Sequence, residues 1–115
     1  MVVEKWSLYW VTLDPITGSE QAGTRPALVI SNDMVNEILP VVTILPLSSV
    51  KSNNRVYPTE VFLSKELSGL PKDSVIMVHQ VRTIDKVRIG KLCGWIDDIS
   101  MRERINDVVR EYFEV

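Results

Sequence analysis

Short apolar blocks separated by polar, turn-forming breaks fill most of the chain, and only its C-terminal part changes period. Residues 8–13 (LYWVTL) form the first block and stop at Asp14-Pro15, a turn-forming pair. Residues 27–30 (ALVI) form the second, a run with β-branched members that fits a strand buried on both faces. Asn32 or Asp33 can cap a short helical turn over residues 34–37. Pro40 restarts an extended run at residues 41–45 (VVTIL), closed by residues 46–49 (PLSS). Residues 51–55 (KSNNR) form a polar turn. Residues 58–63 (PTEVFL) and 74–81 (SVIMVHQV) predict two more strands around the turn at residues 69–73. Residues 87–95 predict one or two further strands, interrupted by Gly90 and Gly94. Five to seven short strands at regular spacing predict a compact barrel-like β domain. The tail is different: Met101, Ile105, Val108 and Tyr112 recur on one face of a helix from about residue 101 to 113, opened by the capping-box spacing Ser100 to Glu103.

Composition narrows the class. One hundred and fifteen residues with 45% apolar and 24% charged side chains make one folded domain, residues 1–115, with a modest core. No apolar run approaches the roughly 18 residues of a membrane span, and the N-terminus, broken by Glu4 and Lys5, does not read as a secretory signal. A single cysteine and a single histidine make neither a disulfide framework nor a metal-ligand set, which suits a reducing cytoplasm and no cofactor. The net charge of −2 argues against a general nucleic-acid binder, but residues 25–91 carry nine bases against six acids. A local basic face can exist within an acidic protein.

The stretch from Gly18 to Asp33, GSEQAGTRPALVISND, concentrates the candidate chemistry. Its first half is polar and bracketed by glycines, a surface loop. Pro26 has no N–H for a sheet ladder and belongs at a strand's first residue. Arg25 therefore sits at the seam, its backbone on a stiff strand and its side chain at a mobile loop, a place suited to meeting an anionic ligand.

This run, with Leu13-Asp14-Pro15-Ile16-Thr17 before it, closely resembles the signature of the MazF/PemK toxins, endoribonucleases of toxin–antitoxin pairs. A second matching block runs from Asp73-Ser74-Val75-Ile76 through Gln80-Val81-Arg82-Thr83-Ile84-Asp85-Lys86. The resemblance implies an α+β, mainly β fold: a small SH3-like barrel with a C-terminal helix, shared with CcdB toxins. It further implies a homodimer, a single-stranded RNA substrate, no membrane, and an antitoxin of the MazE kind whose acidic, disordered tail competes for the RNA groove. Cleavage in the family needs no metal: the ribose 2′-OH attacks its own phosphorus, leaving a 2′,3′-cyclic phosphate and a 5′-OH.

Carried onto this chain, the resemblance makes Arg25 catalytic and puts Ser48 where the family has a phosphate-binding threonine. Glu20 matches the loop glutamate, able to hold the guanidinium or take a proton. His79 stands where an acid usually precedes the glutamine, and histidine can do base work at neutral pH. RNA contacts are expected at Ser19, Gln21, Thr24, Ser49, Lys51, Asn53, Arg55 and Gln80. Trp10, Trp95 and Tyr9 could stack bases, although aromatics in small β domains usually belong to the core. Trp6-Ser7 replaces the family's Gly-Asp, which questions the anchoring of that turn, and residues 82–85 read as a tight turn glued by an Arg82–Asp85 charge pair. Two rivals remain: a non-catalytic RNA- or antitoxin-binding relative, and a gyrase-targeting toxin. The second is disfavoured because CcdB uses a C-terminal Trp-Gly-Ile and this chain ends Tyr112-Phe113-Glu114-Val115.

Overall fold

The computed structural model describes residues 2–50 and 56–115. Seven strands, β1 (Ser7–Thr12), β2 (Thr24–Val29), β3 (Val41–Ser49), β4 (Glu60–Leu63), β5 (Ser74–Met77), β6 (Arg82–Asp85) and β7 (Ile89–Trp95), form one antiparallel sheet. Its order is β4-β5-β3-β2-β1-β7, with β6 pairing the first half of β3. The path does not close on itself, so the expected barrel is a seven-stranded sheet with β4 and β7 at its two ends. Three helices complete it: α1 (Asp33–Ile38), α2 (Lys65–Ser68) and α3 (Ile99–Phe113).

The alternation of side chains along the strands explains why both sheet faces are covered. Leu8 of β1, Leu28 of β2 and Leu45 and Leu47 of β3 enter one core cluster, together with Leu63, Ile76, Ile96, Ile105 and Val108. Their neighbours Tyr9 and Val11, Ala27 and Val29, and Val42 and Ile44 enter the other, with Val3, Leu13, Ile84 and Ile89. A strand serving both clusters has little polar side, which is why β3 is apolar from Val41 to Leu47 except at Thr43.

Several local expectations change. β3 does not stop at Leu45 but runs through Pro46 to Ser49, because its second half leaves β6 and pairs with β5 (Ser48 opposite Val75). The strand expected over residues 74–81 ends at Met77 and becomes a turn of 3-10 helix, Val78–Gln80. Residues 82–85 are a strand, not a turn, and no Arg82–Asp85 pair forms: Arg82 NH1 donates to Leu13 O (2.8 Å) and Asp85 caps Val87 N–H (2.9 Å). Residues 86–88 are a second 3-10 turn, leaving one strand where one or two were expected. Helix α3 starts earlier than the capping box predicts, since Asp98 is its N-cap, accepting from Met101 N–H at 2.8 Å. Tyr112 is 43% exposed and stacks edge-on against Phe113 instead of joining the core. Helix α2 was not foreseen: Ser64 caps it, Gly69 ends it in the left-handed region, and four residues are too few for a helical period.

The Trp6-Ser7 turn is well anchored without the family's acid. Trp6 N–H donates to Val29 O (2.8 Å) and Ile96 N–H donates to Trp6 O (2.9 Å). Trp6 takes a left-handed φ of 74°, where glycine is at ease and tryptophan is strained. Its ring, only 9% exposed, is buried in the α3 cluster with the Arg102 guanidinium 5.3 Å from its centroid and Lys5 Nζ at 5.1 Å. Packing and cation–π attraction offset the strain. Gly94 is needed for closeness: a Cβ there would lie 2.5 Å from Ser68 O, so α2 could not rest on β7.

Candidate functional site

Arg25 lies on β2 opposite Val11, where the strand emerges from the polar loop joining β1 and β2. Its Nε donates to Ala22 O (2.8 Å) and its NH1 to Leu47 O (3.1 Å). With the Gln21 carboxamide oxygen turned toward it, the orientation that satisfies both groups, NH1 and NH2 also donate to Gln21 at 2.8 and 2.7 Å. Four of the five guanidinium N–H donors are thus held, all by neutral carbonyl oxygens. The cation is fixed without being neutralised. Burial lowers the guanidinium pKa from its ordinary value, yet an arginine stays charged at any physiological pH.

The bond to Leu47 O brings Arg25 beside Ser48. The two line one groove of about 340 Å³, together with Trp10, Thr24, Pro26, Ser49, Lys72 and Ser74. Among the described residues no protein group bonds the Ser48 hydroxyl. A fixed cation and an available hydroxyl lining one groove suit a phosphodiester. Trp10 is 39% exposed on the wall of this groove, whereas Tyr9 is buried and Trp95 lies in another depression with Leu67 and Cys93. Of the three candidate stackers, only Trp10 stands beside Arg25.

A second cavity of about 220 Å³ is lined by Glu20, Gln21, His79, Gln80 and Arg82. Gln21 lines it and also bonds Arg25, so the two hollows meet at the Gln21–Arg25 contact. His79 Nδ1 shares a hydrogen with Thr59 Oγ1 at 2.9 Å. Of the two roles expected for Glu20, holding the guanidinium is not seen. Its carboxylate turns back to accept Thr17 N–H at 2.7 Å, and the neutral Gln21 takes the place beside Arg25. Thr24 Oγ1 is 3.3 Å from Thr12 Oγ1 on the rim, Ser49 is exposed in the groove, and Ser19 bonds Gln80 through its backbone carbonyl. Lys51, Asn53 and Arg55 lie outside the described residues. Sequence reading missed Lys72 and Ser74, for which the turn Gly69-Leu70-Pro71-Lys72-Asp73 carried only a structural signal; β3–β5 pairing brings them to the groove.

The model of the PemK-like, MazF-like toxins of type II toxin–antitoxin systems matches residues 4–113. The chain belongs to this family. It is 34% identical over 110 residues to endoribonuclease EndoA of Bacillus subtilis, covering 96% of this chain and 93% of that one. Its fold matches the crystal structure of MazF from Deinococcus radiodurans with a TM-score of 0.84 at 23% identity, over 100% of this chain and 99% of the other. A mycobacterial endoribonuclease solved in complex with its cognate antitoxin matches with a TM-score of 0.78 at 18% identity, covering 98% and 96%. Within this PemK/MazF frame, the open seven-stranded sheet and C-terminal helix are the expected fold class. Among the described residues no helix is long and apolar enough to cross a membrane.

Proposed function

We propose that this single-domain chain is the toxin of a type II toxin–antitoxin pair and acts as a sequence-specific endoribonuclease on single-stranded RNA, messenger RNA included. The observation that carries the reading is a guanidinium held by neutral carbonyls against Leu47 O, in one groove with Ser48. The 2′-OH of the nucleotide before the cut attacks the adjacent phosphorus, and the P–O5′ bond breaks. The products are a 2′,3′-cyclic phosphate and a 5′-OH. Arg25 stabilises the charge on the pentavalent phosphorus, and Ser48 donates to a phosphate oxygen. Serine keeps the oxygen of the family's threonine and loses the methyl that stiffens χ1. Glu20 or His79, at the second cavity, moves the protons. Trp10 offers a face for a neighbouring base and Lys72 a charge for a neighbouring phosphate. The positive charge comes from Arg25, so the reaction needs no metal ion or cofactor.

The working form in this reading is a cytoplasmic homodimer, restrained by a MazE-like antitoxin. The acidic, disordered tail of that antitoxin occupies the groove in competition with RNA, contacting Arg25 and residues 51–55. Antitoxin complexes among the structural neighbours support such a partner. The test is incubation with a long RNA of known sequence, with and without EDTA, followed by end-group analysis. Cyclic-phosphate and 5′-OH ends at defined sites, unaffected by EDTA, are expected. Intact RNA would overturn the reading in favour of a non-catalytic binding relative.

A further inference from the structure

The loop between β1 and β2 delivers Gln21 to Arg25, yet it is not part of any strand. Its start is tied down by arginines: Arg82 NH1 to Leu13 O (2.8 Å) and Arg88 NH1 to Thr12 O and Asp14 O (3.2 and 2.7 Å). Its end is tied by Leu13 N–H to Gly23 O (3.0 Å) and Gly23 N–H to Asp14 Oδ1 (3.2 Å). Between them, the Thr17–Glu20 bonds tie the loop only to itself. Apart from Arg25 itself, the side chain that reaches this middle stretch from outside, among the described residues, is Gln80. Its Oε1 accepts Gln21 N–H at 3.1 Å and its Nε2 donates to Ser19 O at 3.3 Å.

The two bonds have different jobs. Ser19 O belongs to the peptide before Glu20, and Gln21 N–H to the peptide after it. One carboxamide therefore orients both peptide planes flanking Glu20 and sets the direction in which the Gln21 side chain leaves the loop. The anchor itself is stiff: Gln80 closes the 3-10 turn whose Val78 is fully buried, with Val78 N–H on Thr59 O (3.0 Å) and Val81 N–H on Val78 O (3.1 Å). Left to itself, a polar loop residue would sample many backbone states, at about 1–2 kcal/mol of conformational entropy for each one fixed.

We propose that Gln80 is a positioning residue for RNA cleavage: it clamps the backbone on either side of Glu20 and, through Gln21, aims the Arg25 guanidinium at the groove holding Ser48. This assigns Gln80 to the toxin's own loop in place of the RNA contact expected from sequence. It rests on the cleavage reading above for its kinetic consequence, but the clamp can be observed without any activity.

The experiment uses Gln80→Met, which keeps the side chain's length and removes both hydrogen bonds, and Gln80→Glu, which keeps the acceptor for Gln21 N–H. In the wild type the Gln21 backbone amide should exchange slowly with solvent, in Gln80→Met it should exchange faster, and in Gln80→Glu it should stay protected. Unchanged exchange in Gln80→Met would overturn the clamp even if the protein cleaved no RNA. For cleavage, Gln80→Met should lower kcat about 10²-fold, the scale of a displacement near 1 Å, with KM little changed. In an Arg25→Ala background the same change should cost clearly less than in the wild type, because its route through the guanidinium is gone and only the setting of Glu20 is left to lose. A raised KM at unchanged kcat, or a full additional loss in that background, would make Gln80 a direct RNA contact and sink the proposal. A wild type that leaves RNA intact defeats the nuclease reading alone, and the exchange measurement still decides the clamp.

Discussion

Helix α3 and the β1–β2 loop are both attached to the same sheet, by opposite means. The helix is held by volume: Ile105 and Val108 sink into the core beside Trp6, Leu63 and Ile96. Beyond Leu13, which is buried in the second core cluster, the loop is held by direction: Arg82, Arg88 and Arg25 donate to its carbonyls, and Gln80 both donates to Ser19 O and accepts from Gln21 N–H. Burial of apolar area is large and indifferent to small angular errors. A hydrogen bond contributes about 1 kcal/mol net but fails when misaligned. Stability therefore resides on the helix side and aim on the loop side, and damage to each should be read by a different measurement.

The sharpest break in the comparison pairs Arg25→Lys with Ile105→Ala. Lysine keeps the charge but not the planar fork that Ala22, Leu47 and Gln21 hold, so cleavage should fall about 10²–10³-fold. Its unfolding free energy in urea should move by only about 1 kcal/mol. Ile105→Ala should do the reverse, costing about 2–5 kcal/mol in the same titration while the folded fraction cleaves RNA at the wild-type rate. Equal effects of both variants on both measurements would erase the distinction.

Trp6 sharpens the comparison, being a core residue in a backbone state made for glycine. Replacing a buried tryptophan costs about 3–5 kcal/mol, but the left-handed strain, about 1–3 kcal/mol, is relieved only if the replacement is glycine. Trp6→Gly should therefore be less destabilising than Trp6→Ala, by about 1 kcal/mol. The opposite order in urea unfolding would mean that the turn carries no strain.

The smallest effect is at Cys93, whose thiol burial pushes up in pKa. A folded-state pKa above the unfolded one means that the native protein holds the proton more tightly. Its contribution to stability is complete below the ordinary thiol range and fades as pH rises through the native value. Alkylation by iodoacetamide should be slower than for a free cysteine at mildly alkaline pH and speed up on denaturation. An equal rate in both states would show an exposed, ordinary thiol.

Composition and periodicity were enough for six of the seven strands, though not β6, and for the C-terminal helix and the seam at Arg25, because each depends on residues near in sequence. The apolar run from Ala27 marks a strand, although β2 begins at Thr24 and Pro26 is its third residue and not its first; Ile105 and Val108 mark a helix face, and the glycines of GSEQAG a loop. Partner choice was out of reach. Glu20, by charge the natural companion of Arg25, bonds Thr17, and neutral Gln21 takes its place. Lys72 joins the groove only because β3 exchanges β6 for β5 halfway along its length. Local alternation sends Trp10 and Tyr9 to opposite sides of β1, but only the pairing of β2 and β3 beside it puts the groove on Trp10's side and a core cluster on Tyr9's. Local sequence settled which pieces form, since backbone propensity and alternation act over a few residues; the fold settled which side chains meet, since contacts between distant segments follow from strand register and from the hydrogen bonds that aim a loop.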